Sequence, residues 1–246
     1  MPESFRFPPL ARVAFFFDFD GTLVDLAATP DAVQVSPRLI GLLSALAERT
    51  DGALAIVSGR PLADIDQFLA PLRLPTAGSH GAERRDAFGK QWRLNAAEAP
   101  LAQMADELGA VARSHPGMLL ERKVAGVALH FRNAPDCEAV ARAAAERLIA
   151  RYADAFVLQP GKMVFEIKPK GVDKGQAIAA FMGEAPFVSR IPIFAGDDLT
   201  DEKGFAVVNE AGGVSVKIGN GDSIATLRIA SVPAFLEWLD ARLAGE

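Results

Sequence analysis

Val13-Ala14-Phe15-Phe16-Phe17-Asp18-Phe19-Asp20-Gly21-Thr22 decides the fold of this chain. Five consecutive apolar residues, β-branched and aromatic, read as a strand buried on both faces, as in a parallel sheet covered by helices. The run stops at two aspartates separated by one residue. In open α/β sheets ligands bind beyond the carboxyl ends of the strands, so this pair stands where chemistry is expected. Two carboxylates so spaced in extended chain point to the same side. Gly21 lets the backbone turn sharply after them.

Similar units recur further along the chain. Ser36 reads as the N-cap, and Pro37 as the first residue, of a helix to about Arg49. A second buried strand over 53–57 ends in Ser58-Gly59-Arg60, and a helix follows over 61–68. Asp173 caps a helix to about Phe181. A strand over 191–195 ends in Gly196-Asp197-Asp198, and after it come a helix from about Thr200, a strand at Val214–Ile218 and a closing helix over 233–243. Right-handed crossovers are the default for such units. The middle differs: a helix at Glu98–Ser114, strands at Leu119–Arg122 and 127–132, a helix over 136–152, then strands over 156–159 and 164–168. That order belongs to a small α+β unit with an antiparallel sheet. The expected fold class is therefore α/β, a doubly wound parallel sheet with an inserted α+β domain. Residues 1–97 and 170–246 form the core, and 98–169 the insertion.

Composition narrows the function. The chain has 246 residues, half of them hydrophobic, and 26 Lys+Arg against 31 Asp+Glu, a formal charge of −5. A net-acidic chain with no basic run lacks the cationic face that displaces counterions from nucleic acid, so no nucleic-acid partner is expected. One cysteine, Cys137, excludes an internal disulfide and a cysteine-based zinc cluster. His80, His115 and His130 have no metal-ligand spacing. No apolar stretch approaches the roughly 18–20 residues of a membrane span, and the run ending at Phe17 is too short for a signal-peptide core. The expectation is a cytoplasmic, reduced protein without membrane contact or an obligate protein partner.

Taken alone, Asp18-x-Asp20 is open between two readings. One is a strand-end turn whose carboxylates accept from backbone N–H groups. The other is phosphoryl chemistry, in which an ionised aspartate attacks phosphorus and a neighbouring one handles the proton. A calcium loop is excluded, because the twelfth position counted from Asp18 is Thr29 where a Glu is required.

The string of apolar strand, Asp18-Phe19-Asp20-Gly21-Thr22 and Leu23 resembles the first signature of the haloacid dehalogenase superfamily of phosphotransferases. Three more signatures follow in that superfamily's order: an apolar strand ending in Ser58, a lysine at a helix start in Lys174, and the acidic cluster from Gly196 through Asp197, Asp198 and Asp201 to Glu202. The resemblance implies that Asp18 is nucleophile and metal ligand. Asp20 is then the general acid/base, with its main-chain carbonyl also on the metal. Ser58 and Lys174 hold the transferring phosphoryl oxygens. Asp197 and Asp198 join the metal set, with Asp198 and Asp201 left open between orienting metal-bound waters and holding Lys174 in place. An all-oxygen set with few protein ligands suits Mg2+.

A large insertion between the second and third signatures is, in that superfamily, a C2-type cap that selects small phosphorylated metabolites. Several strings resemble the trehalose-6-phosphate phosphatases in particular: Gly196 to Glu202, Ser79-His80-Gly81-Ala82-Glu83, Glu121-Arg122-Lys123, and His130-Phe131-Arg132 with Phe where the family has Tyr. Gly161-Lys162-Met163-Val164-Phe165-Glu166-Ile167, leading into the third signature, completes the set. The resemblance runs from about residue 13 to 240. It implies a Mg2+-dependent phosphatase for trehalose 6-phosphate, the last step of trehalose biosynthesis, with Glu121, Lys123 and Glu166 on the distal glucose. Read from the residues alone, these three are equally exposed strand positions of alternating polarity. His80 and Arg60 are left open as neighbours of phosphate or sugar, and His115 and His130 are read as structural. Competing readings are a phosphatase for sucrose 6-phosphate or a mannosylglycerate phosphate, a phosphomutase, and a non-catalytic sugar-phosphate sensor.

Overall fold

The structure is a computed structural model that describes residues 7–27, 32–94, 98–161 and 163–245; Lys162 of the string above lies outside these. In chain order the elements are β1 (Val13–Phe17), α1 (Pro37–Arg49), β2 (Leu54–Val57), α2 (Leu62–Phe68), β3 (Thr76–Gly78), β4 (Glu83–Arg85), β5 (Gln91–Arg93), α3 (Glu98–Ser114), β6 (Leu119–Arg122), β7 (Val127–His130), α4 (Glu138–Arg151), β8 (Phe156–Gly161), β9 (Val164–Pro169), α5 (Lys174–Met182), β10 (Ile191–Gly196), α6 (Glu202–Glu210), β11 (Val214–Ile218), β12 (Leu227–Ile229) and α7 (Val232–Ala244). They form two compact units, Met1–Trp92 with Asp173–Glu246, and Arg93–Val172.

The first unit is built on an eight-stranded sheet in the order β12-β11-β10-β1-β2-β3-β4-β5. β1 lies at its centre, parallel to β10 and β2. Every residue of β1 is buried, and alternation sends its side chains to two different cores. Val13, Phe15 and Phe17 pack with Leu39, Leu42, Leu43 and Leu46 of α1 and Phe235 and Leu239 of α7. Ala14 and Phe16 pack with Ile178 and Phe181 of α5 and Phe205 of α6. A continuous apolar strand is stable here because helices remove both its faces from water. Truncating one such buried Phe to Ala would cost about 3–5 kcal/mol. The caps read from the sequence are present: Ser36 accepts from Leu39 N at 3.2 Å, and Asp173 from Gln176 N at 2.8 Å. The sheet is parallel from β12 to β3, and β4 adds to β3 antiparallel.

The second unit is a four-stranded sheet in the order β6-β7-β9-β8, each neighbouring pair antiparallel. One face, with Leu120, Val127, Leu129, Phe165 and Ile167, packs against Met104, Ala105 and Leu108 of α3 and Ala141, Ala145 and Leu148 of α4. The alternate residues of the strands therefore occupy the helix-free face. Among the described residues, no helix is long and apolar enough to cross a membrane.

Candidate active site

The parallel register places the key side chains at the carboxyl ends of three adjacent strands. Phe17 is level with Ala195 on β10 and with Ile56 on β2. Asp18 follows β1, Asp197 follows β10 and Ser58 follows β2. The first helical residue of α5 brings in Lys174, whose Nζ lies 2.9 Å from Asp18 Oδ1 and 2.7 Å from Asp201 Oδ1. Asp18, Lys174 and Asp201 are almost fully buried. An ammonium at a helix N-terminus opposes the helix dipole; two carboxylates at hydrogen-bond distance compensate.

Asp201 is tied from both sides. Its Oδ2 accepts from the backbone N–H groups of Asp197, at 3.0 Å, and Asp198, at 2.9 Å. Of the two roles left open for it, the geometry carries the second: Asp201 holds Lys174 and fixes the turn that presents Asp197. Asp198 Oδ1 accepts from the N–H of Thr200 at 2.7 Å and its hydroxyl at 2.6 Å, capping the short turn before α6.

Burial is the largest influence on both Asp18 and Lys174, and it opposes charge on each. For Lys174 the carboxylates of Asp18 and Asp201 outweigh it, so the ammonium form is favoured. For Asp18 a single ammonium does not outweigh burial with the charges of Asp197 and Asp198, and its carboxyl is pushed up to about 7. Burial, with Asp201 and Asp198 adding, raises Asp197 to about 6. Carboxylates crowded this way are the donor set of a hard divalent cation. One oxygen from each of Asp18, Asp197 and Asp201 lies within 4.8 Å of the others. The backbone shape agrees: Gly21 has φ +76°, and a Cβ there would overlap the Asp197 carboxylate. The residues thus fit a bound cation, with Asp18 and Asp197 as carboxylate ligands and the Asp201 carboxylate already engaged.

Asp20 points elsewhere, into the guanidinium fork of Arg60, with Nε to Oδ2 at 2.6 Å and Nη2 to Oδ1 at 2.8 Å. Ser58 is buried, its Oγ accepting from Arg60 N at 3.1 Å. The His80 N–H donates to Ser58 O at 2.9 Å, and the His80 ring lies where a side chain on Gly59 would go. Ser79 and His80 both have left-handed backbone, φ 50° and 58°, strain of a kind that clusters at functional sites. The Glu83 carboxylate braces this loop, accepting from Leu62 N at 2.7 Å and Ser79 Oγ at 3.2 Å.

Lys217 escaped the sequence reading. Its ammonium donates to the main-chain carbonyl of Asp197. A lysine inside Val-Ser-Val-Lys-Ile, a strand buried throughout, was the available signal, since buried lysines have partners. In the second unit, Lys123 Nζ donates to Glu166 Oε2 at 2.8 Å, and Glu121 Oε2 meets His130 Nε2 at 2.8 Å.

Residues 16–232 match the family model described as trehalose-phosphatase. The chain belongs to the trehalose-phosphatase family. It is 48% identical over 230 residues to a trehalose-6-phosphate phosphatase of Escherichia coli strain K12, covering 94% of this chain and 86% of that protein. It is 46% identical over 206 residues to a probable trehalose-phosphate phosphatase of Sinorhizobium fredii, covering 84% of this chain and 77% of that one. Among solved structures, a trehalose-6-phosphate phosphatase related protein superposes with a TM-score of 0.77 at 29% identity, covering 94% of this chain and 98% of the other. The C-terminal domain of the Candida albicans trehalose-6-phosphate phosphatase gives a TM-score of 0.80 at 25% identity, over 96% of this chain and 92% of that one.

Proposed function

We propose that this chain hydrolyses trehalose 6-phosphate to trehalose and phosphate through an aspartyl-phosphate on Asp18. The observation that carries the reading is the Lys174 ammonium, bonded to both Asp18 and Asp201 beside the Asp197 carboxylate. Membership of the trehalose-phosphatase family and the name of the 48% identical relative support the choice of ester.

Asp18 is the nucleophile. One of its oxygens bonds to phosphorus as the bond from phosphorus to the sugar oxygen breaks, and Asp20, having bound a proton and released one of its two bonds to Arg60, gives that oxygen its proton. A water then attacks phosphorus, Asp20 takes the proton back, and the Asp18 carboxylate is restored. Ser58 donates its hydroxyl, and Lys174 its charge, to the transferring oxygens. Mg2+ is the proposed metal; the carboxylates of Asp18 and Asp197 and the main-chain carbonyl of Asp20 would hold it, with Asp198 adding negative charge nearby. When bound, it neutralises charge on the phosphoryl group facing Asp18. Arg60 holds Asp20 in one orientation, and Asp201 does the same for Lys174.

The unit Arg93–Val172 acts as the cap in this reading. Glu121, Lys123 and Glu166 hydrogen-bond the hydroxyls of the sugar, a set that rejects analogues lacking them. A panel of sugar phosphates tests the assignment. Trehalose 6-phosphate should give the highest kcat/KM; a far higher value for sucrose 6-phosphate or a mannosylglycerate phosphate would overturn it.

A further inference from the structure

The helix-free face of the four-stranded sheet carries a row of side chains that crosses every strand. Glu121 on β6, Ala128 on β7, Glu166 on β9 and Gln159 on β8 are in register. Both glutamates of the row have a basic partner at 2.8 Å, Lys123 for Glu166 and His130 for Glu121. Lys123 already has a place in the proposed sugar contacts; His130 does not. We propose that His130 is a positioning residue for sugar recognition: it aims the Glu121 carboxylate and thereby sets preference for the disaccharide ester. The inference rests on the sugar role proposed for Glu121.

The geometry supports a brace. β6 is an edge strand with three of four residues exposed, whereas β7 is paired on both sides and largely buried. Glu121 is opposite Ala128, so His130 is its diagonal neighbour, two residues along the inner strand and within reach of a long side chain. A side chain on the firm strand thus fixes one on the loose strand. An ionised carboxylate only accepts, so the shared hydrogen belongs to His130 Nε2. The bond occupies Glu121 Oε2 and leaves Oε1 to accept from a hydroxyl. Glu121 is held below the usual carboxylate range by that bond, against partial burial that pushes it up. It remains the anionic acceptor that a hydroxyl donor needs.

A purely structural role predicts something different. His130 and Glu121 keep 36% and 46% of their side-chain surface exposed, and polar pairs so exposed add little stability. Loss of the pair would then lower activity slightly and equally for every ester. The positioning role predicts a selective loss.

The experiment compares wild type, His130→Ala, His130→Gln, Glu121→Ala and the Ala–Ala double variant, with trehalose 6-phosphate and p-nitrophenyl phosphate as substrates and Mg2+ present. Relative to p-nitrophenyl phosphate, His130→Ala should lower kcat/KM for trehalose 6-phosphate about tenfold, mainly through KM, while Tm moves by no more than about 3 °C. His130→Gln, which keeps a donor, should recover most of the loss. In the Glu121→Ala background the His130 substitution should cost no more than about a further twofold. Equal losses on both esters, or additive losses in the double variant, overturn the inference alone. Wild type that turns over p-nitrophenyl phosphate but not trehalose 6-phosphate overturns the functional reading, and this inference with it.

Discussion

Arg60 grips both carboxylate oxygens of Asp20, at 2.6 and 2.8 Å, while its guanidinium lies 4.8 Å from the ring centroid of Phe68 and 5.8 Å from that of Phe19. The two bonds define a plane, and the rings limit where that plane can tilt. Lysine keeps the charge but has no fork. Arg60→Lys should therefore leave Asp20 paired but mis-aimed, lowering kcat for trehalose 6-phosphate by about 10–100-fold. The loss should be smaller in the phosphorylation step with p-nitrophenyl phosphate, whose leaving group departs without a proton. Rapid-quench kinetics on both esters checks this; a loss below about twofold on both would remove Arg60 from the proton-transfer apparatus.

Gly21 tests the metal site through shape. Its φ of +76° suits glycine, and an added methyl would meet the Asp197 carboxylate. Gly21→Ala should displace Asp197 and erase most of the Tm increase that Mg2+ gives the wild type. An undiminished increase in that variant would mean that Asp197 does not help to hold the cation.

The raised carboxyls make stability depend on pH in a defined direction. Asp18 and Asp197 titrate at about 7 and 6 in the folded chain, chiefly through burial, against ordinary values of 3.8. The folded state thus binds protons more tightly than the unfolded state. That contribution is complete below about pH 4 and is lost as pH rises through 6 and 7, and Asp201 of the same cluster, raised by burial to about 8, extends the loss to that pH. In chelator, Tm should fall across this window. Mg2+ needs the ionised forms, so its stabilising effect should be larger at pH 8 than at pH 5.5. Thermal melts at both values, with Mg2+ and with EDTA, check the sign; a cation effect independent of pH would contradict it.

Some of this was legible in the sequence, for physical reasons. β1 announces itself because five apolar residues end abruptly at a charge, and α1 and α5 because Ser36 and Asp173 cap them. β4, β5 and β12 passed unnoticed. Each has three residues, and none carries the continuous apolar run of a strand buried on both faces. Asp18, Ser58, Lys174 and Asp197 were singled out by the resemblance of their motifs to the superfamily's signatures; position alone, after a strand or at a helix start, left each open to a structural role. What each side chain grips could not be read. Arg60 and Asp20 stand 40 positions apart and are brought together by the parallel pairing of β2 with β1, whereas Lys174 and Asp201, 27 apart, meet where α5 packs closely on the start of α6.

In the proposed mechanism Asp18 attacks the phosphorus of trehalose 6-phosphate with a divalent cation beside it. Phosphate release from that ester, measured for wild type in Mg2+, wild type in EDTA and Asp18→Asn in Mg2+, tests it most directly. Release should be rapid in the first case and at least about a thousandfold slower in the other two. Release by Asp18→Asn at a rate near that of the wild type would contradict it.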